Sequence, residues 1–495
     1  MKKAKKLFMT TLLVTATNFG ARTASVWFAV LLGAGVGSAG IGLWNLILSV
    51  YFFAKTLSGA GLGLATLKAA IEEPESTAKN LRRMYLFALF QGGAAGALLF
   101  LLSGAAVSFV SSPAAAPALK ILSLSLPFSA VNVCTGGYCT ARRKMARYAV
   151  TGLGEQCVKI GFGIASLRCF SDPARIMLGA AAGITFGEVF SLICGVAGVL
   201  ADRIRDKKAP TVPFSRRMIS VALPDAAGSV LRSVLSTVQN LLIPAGMMRS
   251  GATAQRSLSA YGAVHGMALP VVLYPSGILG ALSGLLIPEF AGTENRREIS
   301  YMTTRVLRFS LLFSLLCACA AGAFSGELSL AVFGSEEAAP WIRLLAPLIP
   351  VMYLDMSSDG ILKGLGLQKK IMAINVLDSA VSVALIYFLV PKMGIYGYVF
   401  MVGVTEVMNF ALSYRLLKKN VPPGTPGLGG YLRTVPVAAA AAASARVLTA
   451  NLYLSSAGIT VALKIALCAA LCVLFWTAAG SLTKEDARWI KGLIK

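Results

Sequence analysis

Charged side chains inside long apolar stretches are the residues of this chain that could do chemistry. Four of them are cations: Arg22, Lys55, Lys159 and Arg232. Seven of them are acids: Glu155, Glu188, Asp225, Asp355, Asp359, Asp378 and Glu406. A charge at the centre of a bilayer costs about 2.5–3.5 kcal/mol on the insertion scale. Such residues therefore usually face a partner or a water-filled cavity.

The cations indicate an anion-binding cavity. Arg22 and Lys55 have no acid on their own apolar stretches, whereas Arg232 has Asp225 seven residues earlier. Unmatched cations near the start of both halves predict a cavity that receives a phosphate, which Arg binds through a bidentate fork and Lys as a point charge. The alternative is that these cations pair with acids on other helices or extend towards the membrane surface.

The acids have two interpretations. Glu155 and Lys159 are four residues apart, so they share a helix face and are expected to pair. Asp355 and Asp359 have the same spacing with like charge, so a bound Na⁺, an exchangeable proton or solvent must relieve their repulsion. Exposure at a cytoplasmic helix end is the simpler interpretation. The seven acids are thus candidates either for ion coupling or for a structural role.

The elements that hold these residues are predicted to be membrane-spanning helices. Hydrophobic residues make up 56% of the 495 residues and charged residues only 14%, with a mean hydropathy of +0.72. This composition excludes a soluble enzyme. About 20 apolar residues span a bilayer, and fourteen stretches qualify. They are 7–34, 39–70, 84–110, 117–141, 147–168, 176–201, 217–248, 257–290, 303–325, 338–362, 371–391, 394–414, 432–450 and 457–482.

The net charge of +25 also fits a membrane protein. Lys and Arg lie in short clusters between apolar stretches, with no basic stripe among aromatic residues, so nucleic acid is not an expected partner. With both termini in the cytoplasm, the cytoplasmic loops contain most of the cations, as the positive-inside rule requires. The first apolar stretch is too long for a cleaved signal peptide and is predicted to be retained.

The chain carries an internal repeat. At one constant offset Pro127 aligns with Pro350, Gly137 with Gly360, and Glu155 with Asp378, while a slightly shorter offset aligns Glu188 with Glu406. Units with an even number of spans share one orientation, so they are related by an axis along the membrane normal.

The repeat predicts three parts. Residues 1–214 form a first lobe of six spans, and residues 215–420 form a second. Residues 421–495 contain a Pro/Gly-rich linker, two further spans and a cytoplasmic tail. The predicted fold is thus an all-α membrane protein with fourteen transmembrane helices.

No enzymatic chemistry is predicted. The nine cysteines lie almost entirely within apolar stretches and lack metal-ligand spacing, and His265 is the only histidine. The sequence contains no nucleotide-binding loop and no catalytic triad. We therefore expect no cofactor and no metal centre, and transport energy from Na⁺, H⁺, the membrane potential or the substrate's own gradient.

Several motifs resemble one family of exporters. They are residues 261–270, 274–276, 286–289, 345–350, 359–366, 368–370, 375–379 and 391–397, with Asp355 between them. These stretches are similar to stage V sporulation protein B-like polysaccharide exporters of Gram-positive bacteria. Their superfamily is that of multidrug/oligosaccharidyl-lipid/polysaccharide (MOP) exporters, which includes lipid II flippases and multidrug-and-toxin-extrusion antiporters.

The resemblance implies fourteen helices, two pseudo-symmetric lobes and alternating access, with a lipid-linked, diphosphate-bearing saccharide as cargo. Lipid II flippases line their cavity with arginines of the first two helices, and Arg22 and Lys55 lie near those positions, Lys replacing Arg at the second. The fifth span of the family often carries Glu-Gln followed by a basic residue, which Glu155, Gln156 and Lys159 match.

Three functions follow. The first is a flippase that moves a lipid-linked oligosaccharide or peptidoglycan precursor across the bacterial plasma membrane, in cell-wall synthesis or sporulation. The second is a multidrug efflux antiporter coupled to Na⁺ or H⁺, with Glu188 and Glu406 as candidate acids. The third is a non-transporting scaffold for envelope assembly. The sequence leaves the glycan, the coupling ion and the oligomeric state open.

Overall fold

The structure, a computed structural model, describes residues 2–72, 77–110, 115–202, 216–293, 295–421, 434–452, 456–482 and 485. Every regular element among these residues is helical. The α-helices are α1 (Lys2–Gly59), α2 (Leu62–Glu72), α3 (Thr77–Val110), α4 (Ala115–Ser123), α5 (Leu126–Ala141), α6 (Met145–Cys169), α7 (Pro173–Ala201), α8 (Arg216–Arg249), α9 (Ala254–Tyr261), α10 (Leu269–Leu273), α11 (Gly277–Gly292), α12 (Arg296–Ala323), α13 (Ser325–Phe333), α14 (Ala339–Leu345), α15 (Ile349–Gly364), α16 (Gln368–Met393), α17 (Ile395–Asn420), α18 (Thr434–Leu448) and α19 (Ala457–Ala478).

The all-α membrane fold is confirmed. Each predicted span overlaps at least one observed helix. Among the described residues eight helices are long and apolar enough to cross a membrane, and nine if the bent pair α4 and α5 counts as one span. Helices α6 and α8 fall outside this set, and so does α18, which has only 15 residues. The count of fourteen therefore stays a prediction.

Local breaks divide the longest apolar stretches. Within α1 the backbone at Gly37 has φ 69° and ψ −179°, a conformation that only glycine adopts readily, and it separates the first two predicted spans. The eighth predicted span contains a π-helical segment at Gly262–Ala268 and a 3₁₀ turn at Tyr274–Ser276. Such segments replace the i→i+4 backbone hydrogen bonds of an α-helix by i→i+5 or i→i+3 bonds.

The helix boundaries repeat along the chain. Pro127 occupies the second residue of α5, and Pro350 occupies the second residue of α15. Both helices follow a short helix, α4 or α14, and precede a long one, α6 or α16. The α4–α5 bend measures 46°. Proline at a first turn explains the bend, because it lacks the N–H that would continue the preceding helix. This recurrence agrees with the internal repeat predicted from sequence, while the two pseudo-symmetric halves stay a prediction.

The chain packs into two compact units. The first comprises residues 1–262 and 386–394, and the second comprises residues 263–385 and 395–495. These units are defined by packing, whereas the predicted lobes 1–214 and 215–420 are defined by the repeat, so the division into lobes stays a prediction. The predicted linker after residue 421 and the tail after residue 485 lie largely outside the described residues.

Within the first unit, α1 and α9 approach each other closely at two glycines. A Cβ atom at Gly42 would lie 2.1 Å from the carbonyl oxygen of Leu258, and one at Gly262 would lie 2.0 Å from the carbonyl oxygen of Ser38. Ser38 and Ser259 also share a hydrogen bond of 2.7 Å. Small residues permit this kind of backbone contact between membrane helices.

We therefore expect Gly42→Ala to lower thermal stability in detergent, since the added methyl group must displace a backbone carbonyl and overpacking costs about 1–3 kcal/mol. Gly152→Ala is the matched control, because a Cβ there meets no atom within 4 Å. Fluorescence-detected size-exclusion chromatography after heating measures both variants. Equal melting of Gly42→Ala and the unchanged protein would contradict the close approach.

Candidate functional site

A buried ion pair joins two helices of the first unit. Lys55 Nζ on α1 donates to Glu188 Oε1 on α7. The other oxygen, Glu188 Oε2, accepts a hydrogen bond of 2.9 Å from Asn132 Nδ2 on α5, which also donates to the Glu188 backbone oxygen at 3.1 Å. Both carboxylate oxygens are thus satisfied, as a charge in a low-dielectric interior requires.

The two ends of this pair differ in exposure. The side chain of Glu188 is 3% exposed, whereas that of Lys55 is 32% exposed. The carboxylate is therefore enclosed by α1, α5 and α7, while part of the lysine side chain faces open space. An ammonium has three N–H donors, so Lys55 has donors beyond the one that Glu188 accepts.

A second ion pair lies beside the first. Lys159 Nζ and Glu155 Oε1 on α6 are 2.5 Å apart, so the pairing predicted from their spacing is confirmed. A Cβ at Gly187 on α7 would lie 3.2 Å from Cγ of both residues, which puts this pair against the residue before Glu188. Lys159 also acts electrostatically on Glu188. The cluster thus holds two cations and two carboxylates and is neutral overall.

The expectation that Lys55 is an unmatched cation is wrong, because its acid comes from another helix. Arg22 lies half-buried on the first half of α1, which packs along α6 through Phe28 and Gly163. Arg232 is exposed on α8 and makes no ion pair with any side chain that the structure describes. The Asp225 side chain lies outside the described residues. That these cations contact substrate stays a prediction.

In the second unit, two acids of α15 face α17. Asp355 Oδ2 accepts a hydrogen bond of 3.0 Å from Asn409 Nδ2. One turn later, Asp359 Oδ1 accepts one of 3.5 Å from Ser413 Oγ, and its Oδ2 lies 4.0 Å from Lys363 Nζ. The repulsion predicted for this pair is thus relieved partly by a lysine at Asp359 and by an amide at Asp355.

Asp355 remains incompletely satisfied within the described part of the chain. The residue is 8% exposed, and neither its Oδ1 nor Oδ1 of Asn409 has a hydrogen-bond donor there. Asp378 and Glu406 are half-buried and repel Asp355 electrostatically. No described group of three or more His, Cys, Asp or Glu side chains has metal-binding geometry. A proton or a cation held mainly by amide, hydroxyl and backbone oxygens would satisfy these atoms.

The sequence reasoning missed a buried charge of the second unit. Lys464 on α19, 3% exposed, donates to Glu327 Oε1 on α13 at 3.0 Å, and Glu327 is 38% exposed. A lysine within the most apolar predicted span could have indicated this buried pair, because such a residue needs an acid nearby. His265, in contrast, is packed against another helix, since its Nδ1 lies 2.9 Å from the hydroxyl of Tyr398 on α17.

A basic turn lies at the end of the first unit's helices. The α5–α6 turn carries Arg142, Arg143, Lys144 and, one turn into α6, Arg147. Asp202, just after α7, accepts hydrogen bonds from Lys144 at 2.5 Å and from Arg147 at 3.1 Å. Burial raises the pKa of the Asp202 carboxyl, but these bonds and one from a tyrosine outweigh it and hold the pKa below its ordinary value.

Sequence comparison assigns this helical architecture to a family. The profile described as Polysaccharide biosynthesis protein matches residues 7–294, more than half of the chain. The chain belongs to the polysaccharide biosynthesis protein family. A second profile, MatE, matches residues 229–388. Both profiles fall within the MOP exporter superfamily, so the family resemblance predicted from sequence is confirmed.

Relatives of this polysaccharide biosynthesis family protein agree with that placement. Stage V sporulation protein B of Bacillus subtilis (strain 168) is 22% identical over 424 residues, which cover 80% of each chain. The structure of the lipid II flippase MurJ in an inward closed conformation has a TM-score of 0.73 at 12% identity and covers 98% of this chain and 100% of its own. An inward-facing multidrug resistance MATE family transporter has a TM-score of 0.62 at 13% identity, covering 81% and 94%. The two solved structures share the fold.

A double-mutant cycle tests the pair in this exporter-family protein. We expect Lys55→Met to destabilise the protein because it leaves Glu188 buried without its cation, and Lys55→Met with Glu188→Gln to recover much of the loss. Contacting charges typically couple by about 0.5–3 kcal/mol. Thermal unfolding of the two single variants and the double variant measures the coupling, with exposed Lys392→Met as control. Strictly additive losses would mean that the two side chains do not interact.

Proposed function

We propose that this membrane transporter of the MOP superfamily flips a lipid-linked glycan across the plasma membrane by alternating access. The cargo class is a polyprenyl-diphosphate oligosaccharide or a peptidoglycan precursor. Its diphosphate is the group that transmembrane cations would recognise, because Arg and Lys both bind phosphate oxygens strongly.

The observation that carries the proposal is the unequal exposure of the Lys55–Glu188 pair. Glu188 is enclosed and Lys55 is partly open, so the pair offers a positive end to a ligand. Arg22, Lys159 and Arg232 lie on helices of the same compact unit. A protein that selects cationic drugs would be expected to offer the carboxylate instead.

The relatives support the same class of cargo. One family profile is described by polysaccharide biosynthesis, and one relative is named for sporulation. We therefore propose a role in building the cell wall or the spore envelope, with the lipid bilayer and the lipid-linked glycan as partners. We also propose that both termini face the cytoplasm, where the basic loops would lie.

A charge swap separates transport from folding. We expect Lys55→Glu with Glu188→Lys to restore the stability that either single change loses, because an ion pair can re-form. Transport should still fall about tenfold or more, since a charge-assisted contact of about 1.5–3 kcal/mol would be replaced by repulsion. Cells depleted of the protein and complemented with each variant are compared by the leaflet in which labelled lipid-linked precursor accumulates.

Two variants serve as controls in the same cells. Lys55→Arg keeps the positive end and should retain most transport, and Lys392→Ala, at the exposed last turn of α16, should retain all of it. Full export by the swapped pair would show that Lys55 has only a structural role. Unchanged precursor distribution after depletion would favour the scaffold function.

The alternative is a multidrug efflux antiporter coupled to Na⁺ or H⁺. The MatE match and the acids of the second unit favour it: Asp355 has a buried oxygen without a donor among the described residues, and Asp378 and Glu406 add negative charge. The same acids also suit a flippase that uses an ion gradient. We propose that Asp355 binds the coupling proton or Na⁺ in either case.

Neutralising Asp355 tests this coupling. We expect Asp355→Asn to make transport independent of the imposed pH or Na⁺ gradient, because its carboxylate can no longer exchange an ion. Asp359→Asn is the matched control one turn away, since Lys363 already accompanies that carboxylate. Initial rates in proteoliposomes with opposing gradients are compared, using lipid-linked precursor and a cationic drug. Unaltered gradient dependence in Asp355→Asn would exclude Asp355 as the coupling group, and drug transport alone would favour the antiporter.

A further inference from the structure

A groove between α6 and α7 is lined by none of the residues assigned to cargo or coupling. Its volume is about 560 Å³, within the range of about 300–1,000 Å³ typical of small-molecule sites. Its lining is Ala146, Arg147, Val150, Thr151, Gly154, Phe190 and Cys194. Only Arg147 and Thr151 are polar, and the Thr151 hydroxyl already donates to the Arg147 carbonyl at 3.0 Å. The groove is therefore an apolar channel with a cation at one end.

The groove extends along about two turns of α6. Arg147 and Gly154 are seven residues apart on α6, which corresponds to about 10 Å along a helix. Val150 and Phe190 are exposed along it, so the groove is open along its side, and in a membrane-spanning helix bundle we expect that side to face acyl chains. The absence of a side chain at Gly154 shapes its wall, because a Cβ there would lie 2.5 Å from the Phe190 ring.

The cationic end carries more positive charge than its acid neutralises. Arg147 donates through one nitrogen, Nη1, to Gly198 and Asp202, and Lys144 shares the same carboxylate. The side chain of Arg147 is 40% exposed, and we expect its remaining N–H groups to be available to a ligand. Arg142 is occupied by the Thr77 hydroxyl at 2.9 Å.

Arg143 is unusual in its backbone. It has φ 55°, and it is the only non-glycine residue with positive φ that the described chain contains. Glycine or asparagine ordinarily occupies such a left-handed position after a helix, because a Cβ there is unfavourable. Arg143 is exposed and has no ion pair among the described residues. Because an arginine is unfavourable at a position that suits glycine, its presence there suggests a function for its side chain.

We propose that this groove binds one acyl chain of an anionic membrane phospholipid, whose phosphate is held by Arg147 and Arg143. The apolar groove suits the acyl chain, and the surplus positive charge suits the headgroup. Because the basic residues lie at one end of the groove, the phosphate would lie at the ends of α5 and α6. The site is independent of the proposed transport function, because it includes none of the residues assigned to cargo or coupling.

Binding is tested on the purified full-length protein in detergent with added dioleoyl phosphatidylglycerol or dioleoyl phosphatidylcholine. We expect the anionic lipid to raise the melting temperature more than the zwitterionic one at equal concentration. Arg143→Gly should weaken the affinity for phosphatidylglycerol about fivefold, the effect of one basic residue at an anionic membrane surface. The same variant should not lower stability without lipid, because glycine suits the left-handed turn. Arg143→Asn provides a second variant that tolerates this turn.

The acyl-chain part of the proposal has its own test. Cys194→Phe fills the groove and should weaken phosphatidylglycerol binding while leaving Arg143 in place. In the unchanged protein, phosphatidylglycerol should slow alkylation of Cys194 by N-ethylmaleimide but not that of Cys157, an exposed residue of α6 outside the groove. Peptide mass spectrometry follows both thiols.

Several results would overturn the proposal. Equal shifts with the two lipids would exclude headgroup recognition, and full affinity in both Arg143 variants would exclude that residue. Unchanged binding by Cys194→Phe with no protection of Cys194 would mean that lipid binds only at the basic surface. Protection of Cys194 by undecaprenyl phosphate but not by phosphatidylglycerol would identify a carrier-lipid site instead.

Discussion

The cost of keeping charge inside a hydrocarbon slab shapes this structure. Lys55 and Glu188 lie on helices that could cross the membrane, and each makes the other tolerable there. The residues around them serve that need. Asn132 donates a hydrogen bond to the second carboxylate oxygen of Glu188, and Gly187 allows the Glu155–Lys159 pair on α6 to approach closely. The positions of α1, α5, α6 and α7 in the first unit are thus linked through one charged cluster.

The internal repeat makes the second set of charges informative. Asn132 and Asp355 each lie six residues after the first residue of their helices, α5 and α15. In the first half an amide at this position supports a neutral ion-pair cluster. In the second half a carboxylate stands there among other acids, with an amide from α17 as its hydrogen-bond donor. Equivalent positions of the predicted repeat therefore differ in electrostatic character.

Much of this arrangement could be predicted from the sequence, because apolar length and charge spacing are local properties. The helical fold, the break near Gly37, the repeat around Pro127 and Pro350, and the Glu155–Lys159 pair were all predictable in this way. The Lys55–Glu188 pair was not, since 133 residues separate its members and periodicity carries no information about which helices touch. The Lys464–Glu327 pair could not be predicted for a related reason, since Glu327 lies on the short helix α13, outside the predicted spans.

The unequal burial of Lys464 and Glu327 has a consequence for biogenesis. Glu327 is well exposed, so a nascent chain can complete α12 to α17 with that carboxylate hydrated. Lys464 is almost fully enclosed, and a lone lysine at mid-bilayer opposes insertion. We therefore expect α19 to insert only after α13, which supplies its acid, has been synthesised.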